Sequence, residues 1–418
     1  MTHASVPLAE ITRAFGRIGL LSFGGPAAQI ALMHRTLVEE KRWMTEDGFL
    51  RALSFCMLLP GPEAMQLATY AGWRLRGVPG GVIAGGLFVL PGAVVIATLA
   101  LLYVAYGTRP DVSAALLGLQ AAVIVIVIQA LWRLSAKALR GGGDIALALG
   151  AFVAIFAFVL PFPLIIAVAA AAGALRADAS KETPAATPGA PTRPTVLIGW
   201  VAAWLAPLAI LWALDQHLLF ELAAFFAWLA VVTFGGAYAV LAYMAQEVVQ
   251  NRGWLDPAAM VDALGLAETT PGPLILVLQF VGQLVGHQAG GVWFGLLAAG
   301  LTLWMTFVPC FLWIFAGAPY VETLTARPRL KAALAGVTAA VVGVILNLSL
   351  WFAVHVVFDQ TAPLTLGPVA VTAPVLASVN PYAIGLIVLC AGLLWRARLS
   401  VPAMLAIAAG VGWALGAL

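Results

Sequence analysis

Two helix-breaking strings, Phe23-Gly24-Gly25 and Pro60-Gly61-Pro62, lie inside long apolar stretches, and both return as Phe234-Gly235-Gly236 and Pro271-Gly272-Pro273. Non-helical backbone at membrane depth is tolerated only where protein or a water-filled cavity satisfies its polar groups, so all four strings are expected to face the interior. A helix restarting after such a break aims unpaired N–H groups and a partial positive charge at whatever lies ahead of it, which makes an anion site. Four such ends converging would favour a small, multiply charged oxyanion. Glu63 follows the first Pro-Gly-Pro directly, and Glu268 lies three residues before the second. A carboxylate at such a tip repels a dianion unless protonated, which suits anion movement coupled to protons. The competing role for Glu63 is to cap the half-helix that begins at Pro62, and for the Gly-Gly pairs it is close helix packing.

The residues expected to line the site are therefore Gly24, Gly25, Gln29, Pro60, Gly61, Pro62, Gln66, Gly235, Gly236, Thr270, Pro271, Gly272, Pro273 and Gln279. Glu63 and Glu268 are the proton-coupling candidates, because intramembrane ionisable residues are costly and functional by default. Arg51 and Asp262 occupy equivalent repeat positions with opposite charge. They read equally as anion contact and counter-charge or as an ion pair. Arg13 and Arg17, one helical turn apart, snorkel to headgroups or attract anions from the cytoplasm. Interhelical hydrogen bonding is the default for Gln29, Gln66, Gln120, Gln129, Gln279, Gln283 and Asn347, with Gln66 and Gln279 the best exceptions by their nearness to the breaks.

Other chemistries find little support. The five histidines are scattered, and Cys56, Cys310 and Cys390 sit in apolar segments without metal-ligand spacing. No nucleophile–base pair or nucleotide-binding fingerprint occurs, so neither catalytic residues, a metal nor a cofactor is expected. A net charge of +3 is too small to suggest nucleic acid.

The elements that must position these residues are membrane helices. Hydrophobic residues make up 63% of the 418 and charged residues only 9%, against roughly 25% charged in soluble domains. The fold class is an all-α polytopic membrane protein. Its polar start lacks the pattern of a cleaved signal peptide. The breaks, with Trp43 and Trp254, recur at one offset of 211 positions, which marks an internal duplication. Paired interruptions in two halves are the best sequence pointer to a transporter's substrate site. The halves are residues 1–176 and 218–418, joined by a Pro-rich linker at 177–195 and one extra spanning helix at 196–217. Arg133, Lys137 and Arg140 end the fourth element of the first half, whereas Arg327, Arg329 and Lys331 begin that of the second. With both clusters cytoplasmic, the halves have inverted topology, the linker and N-terminus are cytoplasmic, and the C-terminus is outside. Segment 358–374, Pro- and Thr-rich without Lys or Arg, then also lies outside.

Element 46–77 is roughly 48 Å long as one helix, too long for a hydrocarbon core of about 30 Å. It folds as a re-entrant hairpin with its tip at Pro-Gly-Pro or crosses as a kinked span, and the first element offers the same choice. Charge favours hairpins, giving nine full spans against thirteen.

In combination these motifs look familiar. Phe23-Gly-Gly-Pro-Ala-Ala-Gln-Ile, Trp43 and Leu58-Leu-Pro-Gly-Pro-Glu-Ala-Met-Gln-Leu resemble the first domain of the chromate ion transporter family. Phe234-Gly-Gly-Ala-Tyr, Arg252-Gly-Trp, Thr270-Pro-Gly-Pro-Leu and Gln279-Phe-Val-Gly resemble its second. The chain is similar to long, fused two-domain members. The resemblance implies secondary active efflux of chromate across the inner membrane, against protons, with sulfate as structural analogue; homodimerisation is compatible with it. Uptake or exchange of another small anion is the alternative within transport. An intramembrane enzyme or a scaffold would not explain paired breaks in both halves.

Overall fold

The computed structural model describes residues 6–177, 191–234, 236–366 and 369–416. Among the described residues sixteen α-helices follow one another: α1 (Leu8–Leu21), α2 (Gly25–His34), α3 (Glu46–Cys56), α4 (Glu63–Tyr106), α5 (Pro110–Ala138), α6 (Gly142–Phe156), α7 (Phe162–Leu175), α8 (Pro194–Ala213), α9 (His217–Val232), α10 (Ala237–Ala245), α11 (Pro257–Glu268), α12 (Val277–Gly317), α13 (Val321–Ala326), α14 (Pro328–Val357), α15 (Pro381–Ala391) and α16 (Val401–Gly416). The linker lies mostly at 178–190, outside the described residues.

The duplication is legible in the backbone. A π-turn at Arg35–Glu40 closes α2, and another at Gln246–Asn251 closes α10. Trp43 N–H donates to Leu37 O and Trp254 N–H to Val248 O, both at 2.8 Å. Thr45 caps α3 by accepting from Gly48 N–H, and Asp256 caps α11 by accepting from Ala259 N–H. Each of these pairs keeps the sequence offset of 211.

The chain packs into two compact units. The first collects Met1–Ala100, Ala179–Ala237 and Thr270–Pro328; the second collects Leu101–Asp178, Tyr238–Thr269 and Arg329–Leu418. Each unit draws on both repeats, so the division in space does not follow the division by repeat.

In the first unit the short helices fold back as hairpins. Glu10, near the start of α1, pairs with Lys41, just beyond the π-turn after α2, at 2.9 Å. The turn between α1 and α2 falls at Gly24 and Gly25, both at positive φ. Gly48 at the start of α3 lies beside Arg74, and the Phe55 and Tyr70 rings are 6.0 Å apart. The arms of α3 and α4 therefore run antiparallel from a tip at Pro60-Gly61-Pro62. The eleven residues of α3 rise about 16 Å, far short of a hydrocarbon core, so the hairpin reading holds over the kinked span. Helix α4 breaks at Arg76–Gly77 and α12 at Gly290–Gly291. Past each break the chain doubles back on itself: Gly72 packs on the Gly80 carbonyl, and Gly282 on Thr302. Pro207 in α8 cannot donate to the Ala203 carbonyl, which instead accepts from Trp304 Nε1–H at 2.7 Å.

In the second unit small residues let helices approach closely. Gly118 of α5 meets the Ala408 carbonyl of α16 while Gly412 meets the Ala114 carbonyl, and α7 and α14 pair likewise through Gly173 and Gly336. Segment 358–374 holds a feature absent from the all-α expectation, a β-hairpin of β1 (Thr361–Leu366) and β2 (Val369–Pro374). Its Thr, Val and Pro residues are poor helix formers, and the first two suit strands.

Among the described residues, five helical stretches are long and apolar enough to cross a membrane: Glu63–Tyr106, Pro110–Ala138, Pro194–Ala213, Leu274–Ala326 and Pro328–Val357. The other four expected spans are helices of 14 to 16 residues, at Gly142–Phe156, Phe162–Leu175, Pro381–Arg396 and Val401–Gly416.

Candidate functional site

The breaks are tied together in pairs within the first unit. Gly61 N–H donates to the Thr233 carbonyl at 3.0 Å, and Gly272 N–H donates to the Ser22 carbonyl at 2.9 Å. The Pro-Gly-Pro of each repeat is thus bonded to the residue before Phe-Gly-Gly of the other repeat. Ser22 and Thr233 are also alike in their side chains: each hydroxyl donates back four residues, to Ile18 and Leu229 carbonyls. Gly61 and Gly272 have φ of 113° and 87°, a region where a Cβ is strained. These glycine N–H groups hold the fold, so they are not the donors offered to an anion. The helical arm beginning at Glu63 still presents its positive end at the tip.

Side chains complete the cluster. Gln29, 1% exposed, donates Nε2–H to the Gly272 carbonyl at 2.6 Å, with Ser22 O at 3.4 Å. Gln66, fully buried, donates to the Pro60 carbonyl at 2.6 Å. Gln279 and Gln283 of α12 donate to Ala93 and Ala97 carbonyls of α4. Gly92 packs on the Pro271 carbonyl, and Cys310 Sγ closes on Gly61. Glu63, half-buried, has its carboxylate beside Gly236. Pro62, Pro273 and Thr270 are buried at the tips. Gly235 lies outside the described residues.

The remaining candidates stand elsewhere. Glu268 is in the second unit, 7% exposed, accepting from Tyr238 Oη at 3.1 Å. Asp262, also buried there, accepts from Tyr103 Oη at 2.9 Å and Gln120 Nε2 at 2.6 Å. Neutral donors from α4 and α5 thus meet both oxygens of Asp262. Arg51 is exposed on α3 in the first unit, and Arg13 and Arg17 are exposed on α1. A cavity of about 680 Å³ in the second unit is lined by Gln246, Asn347, Trp351 and His355 beneath the β-hairpin; it contains none of the breaks. Sequence reasoning missed Ser22, Thr233, Tyr103 and Tyr238. For Ser22 and Thr233 the signal was available, since both are hydroxyl residues at the same repeat offset.

Re-entrant hairpins whose tips carry buried carboxamides and a carboxylate, on helices of membrane-spanning length, define a polytopic membrane transporter. A family model described as chromate transporter matches residues 9–174 and 220–413. The chain belongs to the chromate transporter family, whose members are transporters and not enzymes. It is 32% identical to a chromate transport protein of Pseudomonas aeruginosa, over 97% of this chain and 91% of the relative. It is also 32% identical to a chromate transport protein of Cupriavidus metallidurans, over 88% of each. No solved structure matches the chain.

Proposed function

We propose that this protein is a secondary transporter that exports chromate across the inner membrane in exchange for protons. The anion site lies at the paired breaks of the first unit. The reciprocal bonds Gly61–Thr233 and Gly272–Ser22 carry this reading. They draw four helix interruptions into two cross-repeat pairs whose surrounding side chains are polar and buried. Glu63 is the proton carrier beside that site, and Glu268 is the second candidate. The two relatives named as chromate transport proteins support chromate as cargo; sulfate-like oxyanions are the alternative.

The two repeats are inverted, with the N-terminus and the Pro-rich linker cytoplasmic and the C-terminus outside. The basic clusters at opposite ends of α5 and α14 support this topology. Single cysteines at Gly142 and Gln360 should label from opposite sides of the membrane, and labelling of both from one side removes the inverted arrangement.

Expression in a chromate-sensitive host tests function directly. Resistance with lower cell chromate is expected. Greater sensitivity with higher cell chromate would replace export with uptake.

A further inference from the structure

The buried polar side chains around the breaks offer acceptors without cations. Among the described residues no Lys, Arg or His side chain is buried, and the buried charged side chains are Asp262 and Glu268, both in the second unit. In the first unit Gln29, Gln66, Gln279 and Gln283 are all at least nine-tenths buried. Each gives an N–H to a backbone carbonyl, at Gly272, Pro60, Ala93 and Ala97. Each leaves a buried Oε1 with no protein partner. Turning an amide over does not help, because its oxygen would then face a carbonyl oxygen. A buried acceptor without a donor is costly, so four of them in one unit ask for a hydrogen-bond donor.

A tetrahedral dianion supplies none. It brings two negative charges and acceptor oxygens to a place where the Gly61 and Gly272 N–H groups are already engaged. The cost of dehydrating an ion also grows with the square of its charge, which weighs against the dianion in the membrane interior. The same oxyanion carrying one proton has half the charge and one O–H to donate.

We propose that the species carried is the singly protonated monoanion, hydrogen chromate, donating its O–H to a glutamine Oε1 beside the breaks, at Gln29 or Gln66. This rests on reading the breaks as the anion site, and it supplies a basis for selectivity. Chromate takes up its proton near neutral pH, whereas sulfate remains a dianion until strongly acidic conditions. Two anions of similar size and shape thus differ in whether they can donate a hydrogen bond.

The test is chromate exchange by the full chain in liposomes, with equal pH on both sides so that no gradient drives it. If hydrogen chromate is the species bound, the half-saturating total chromate concentration rises about tenfold per pH unit above neutral, as its fraction falls. Sulfate fails to compete throughout. A half-saturation that stays flat with pH, or sulfate competing as well as chromate, overturns the proposal and leaves transport by the dianion standing. Among the described residues the titratable side chains placed at the first break are Glu63, Cys56 and Cys310, so the proton must be assigned to substrate or protein. E63Q keeps the tenfold slope if the proton rides on chromate and loses it, overturning the proposal, if it binds Glu63. Should E63Q fail to insert, sulfate decides: a proton held by the protein lets sulfate compete at low pH, and one held by the anion does not. No chromate exchange at any pH would overturn the transport reading itself.

Discussion

The two Pro-Gly-Pro tips share a backbone and differ in chemistry. Both place glycine at positive φ, and both donate to the residue before the opposite Phe-Gly-Gly. Around the first tip stand Glu63 and Gln66, whose repeat equivalents are Leu274 and Val277. The second tip accepts from Gln29, whose equivalent is Val240, and is followed by Gln279, whose equivalent is Ala68. Duplication preserved the hydrogen bonds that shape the tips and let the side chains diverge. The first tip bears the Glu63 carboxylate, whereas the second accepts from the Gln29 carboxamide. Symmetry thus belongs to the scaffold, and a carboxylate that could hold a proton at a tip belongs to one side.

The largest expected effect exploits that asymmetry. Glu63→Gln keeps size and hydrogen bonding but cannot release a proton, so the share of chromate movement driven by protons crossing through the protein should be lost, while exchange and the pH dependence carried by the anion itself persist. Leu274→Gln, at the equivalent place in the second repeat, should leave coupling intact. Flux into vesicles with and without an imposed gradient separates the two variants. Unchanged coupling in Glu63→Gln would return Glu63 to a capping role and move attention to Glu268 with its Tyr238 partner.

Next in size come the glycines, where the tips differ in room. A Cβ on Gly61 would sit 2.8 Å from Cys310 Sγ and 3.0 Å from Gln66 Nε2, whereas on Gly272 its nearest neighbour is Leu276 Cδ1 at 3.3 Å. Both sites also carry the left-handed penalty of roughly 1–2 kcal/mol. Gly61→Ala should therefore lose more transport and more thermal stability in detergent than Gly272→Ala. Valine at either position should abolish transport. Equal loss in both alanine variants would show that φ, not the Cys310 contact, sets the cost.

Much of this was legible in the sequence because the breaks consist of residues with few conformational options. Proline and glycine inside apolar runs announce a hairpin tip, and the constant offset tells where the second copy lies. The basic residues after the first break favoured a hairpin, and an ion pair between Lys41 and Glu10, which the sequence did not announce, closes it. Less legible was how each tip is satisfied. Carbonyl acceptors carry no side-chain signature, so nothing in Pro-Gly-Pro indicates that its glycine N–H reaches Thr233 or Ser22. Buried carboxylates posed a related difficulty. Arg51 and Asp262 invite pairing by charge, yet Asp262 takes Tyr103 and Gln120 as donors, neutral residues far away in sequence. The β-hairpin at 361–374 was hidden for another reason, since strand preference depends more on neighbours than on residue type.

The smallest effects belong to the hydroxyls of Ser22 and Thr233, and here the comparison predicts equality. Each donates to a carbonyl one helical turn earlier, and each carries the carbonyl that accepts from the opposite glycine. Ser22→Ala and Thr233→Ala remove the first bond and leave the second, since the second uses backbone alone. A lost intramolecular hydrogen bond is worth about 0.5–1.5 kcal/mol, so both variants should melt slightly earlier in detergent and by similar amounts. Neither should alter coupling to the gradient. Matched small losses would fit a scaffold held alike on both sides. A transport defect confined to Ser22→Ala would mean that its hydroxyl also meets the anion, through the tip that Gln29 already serves.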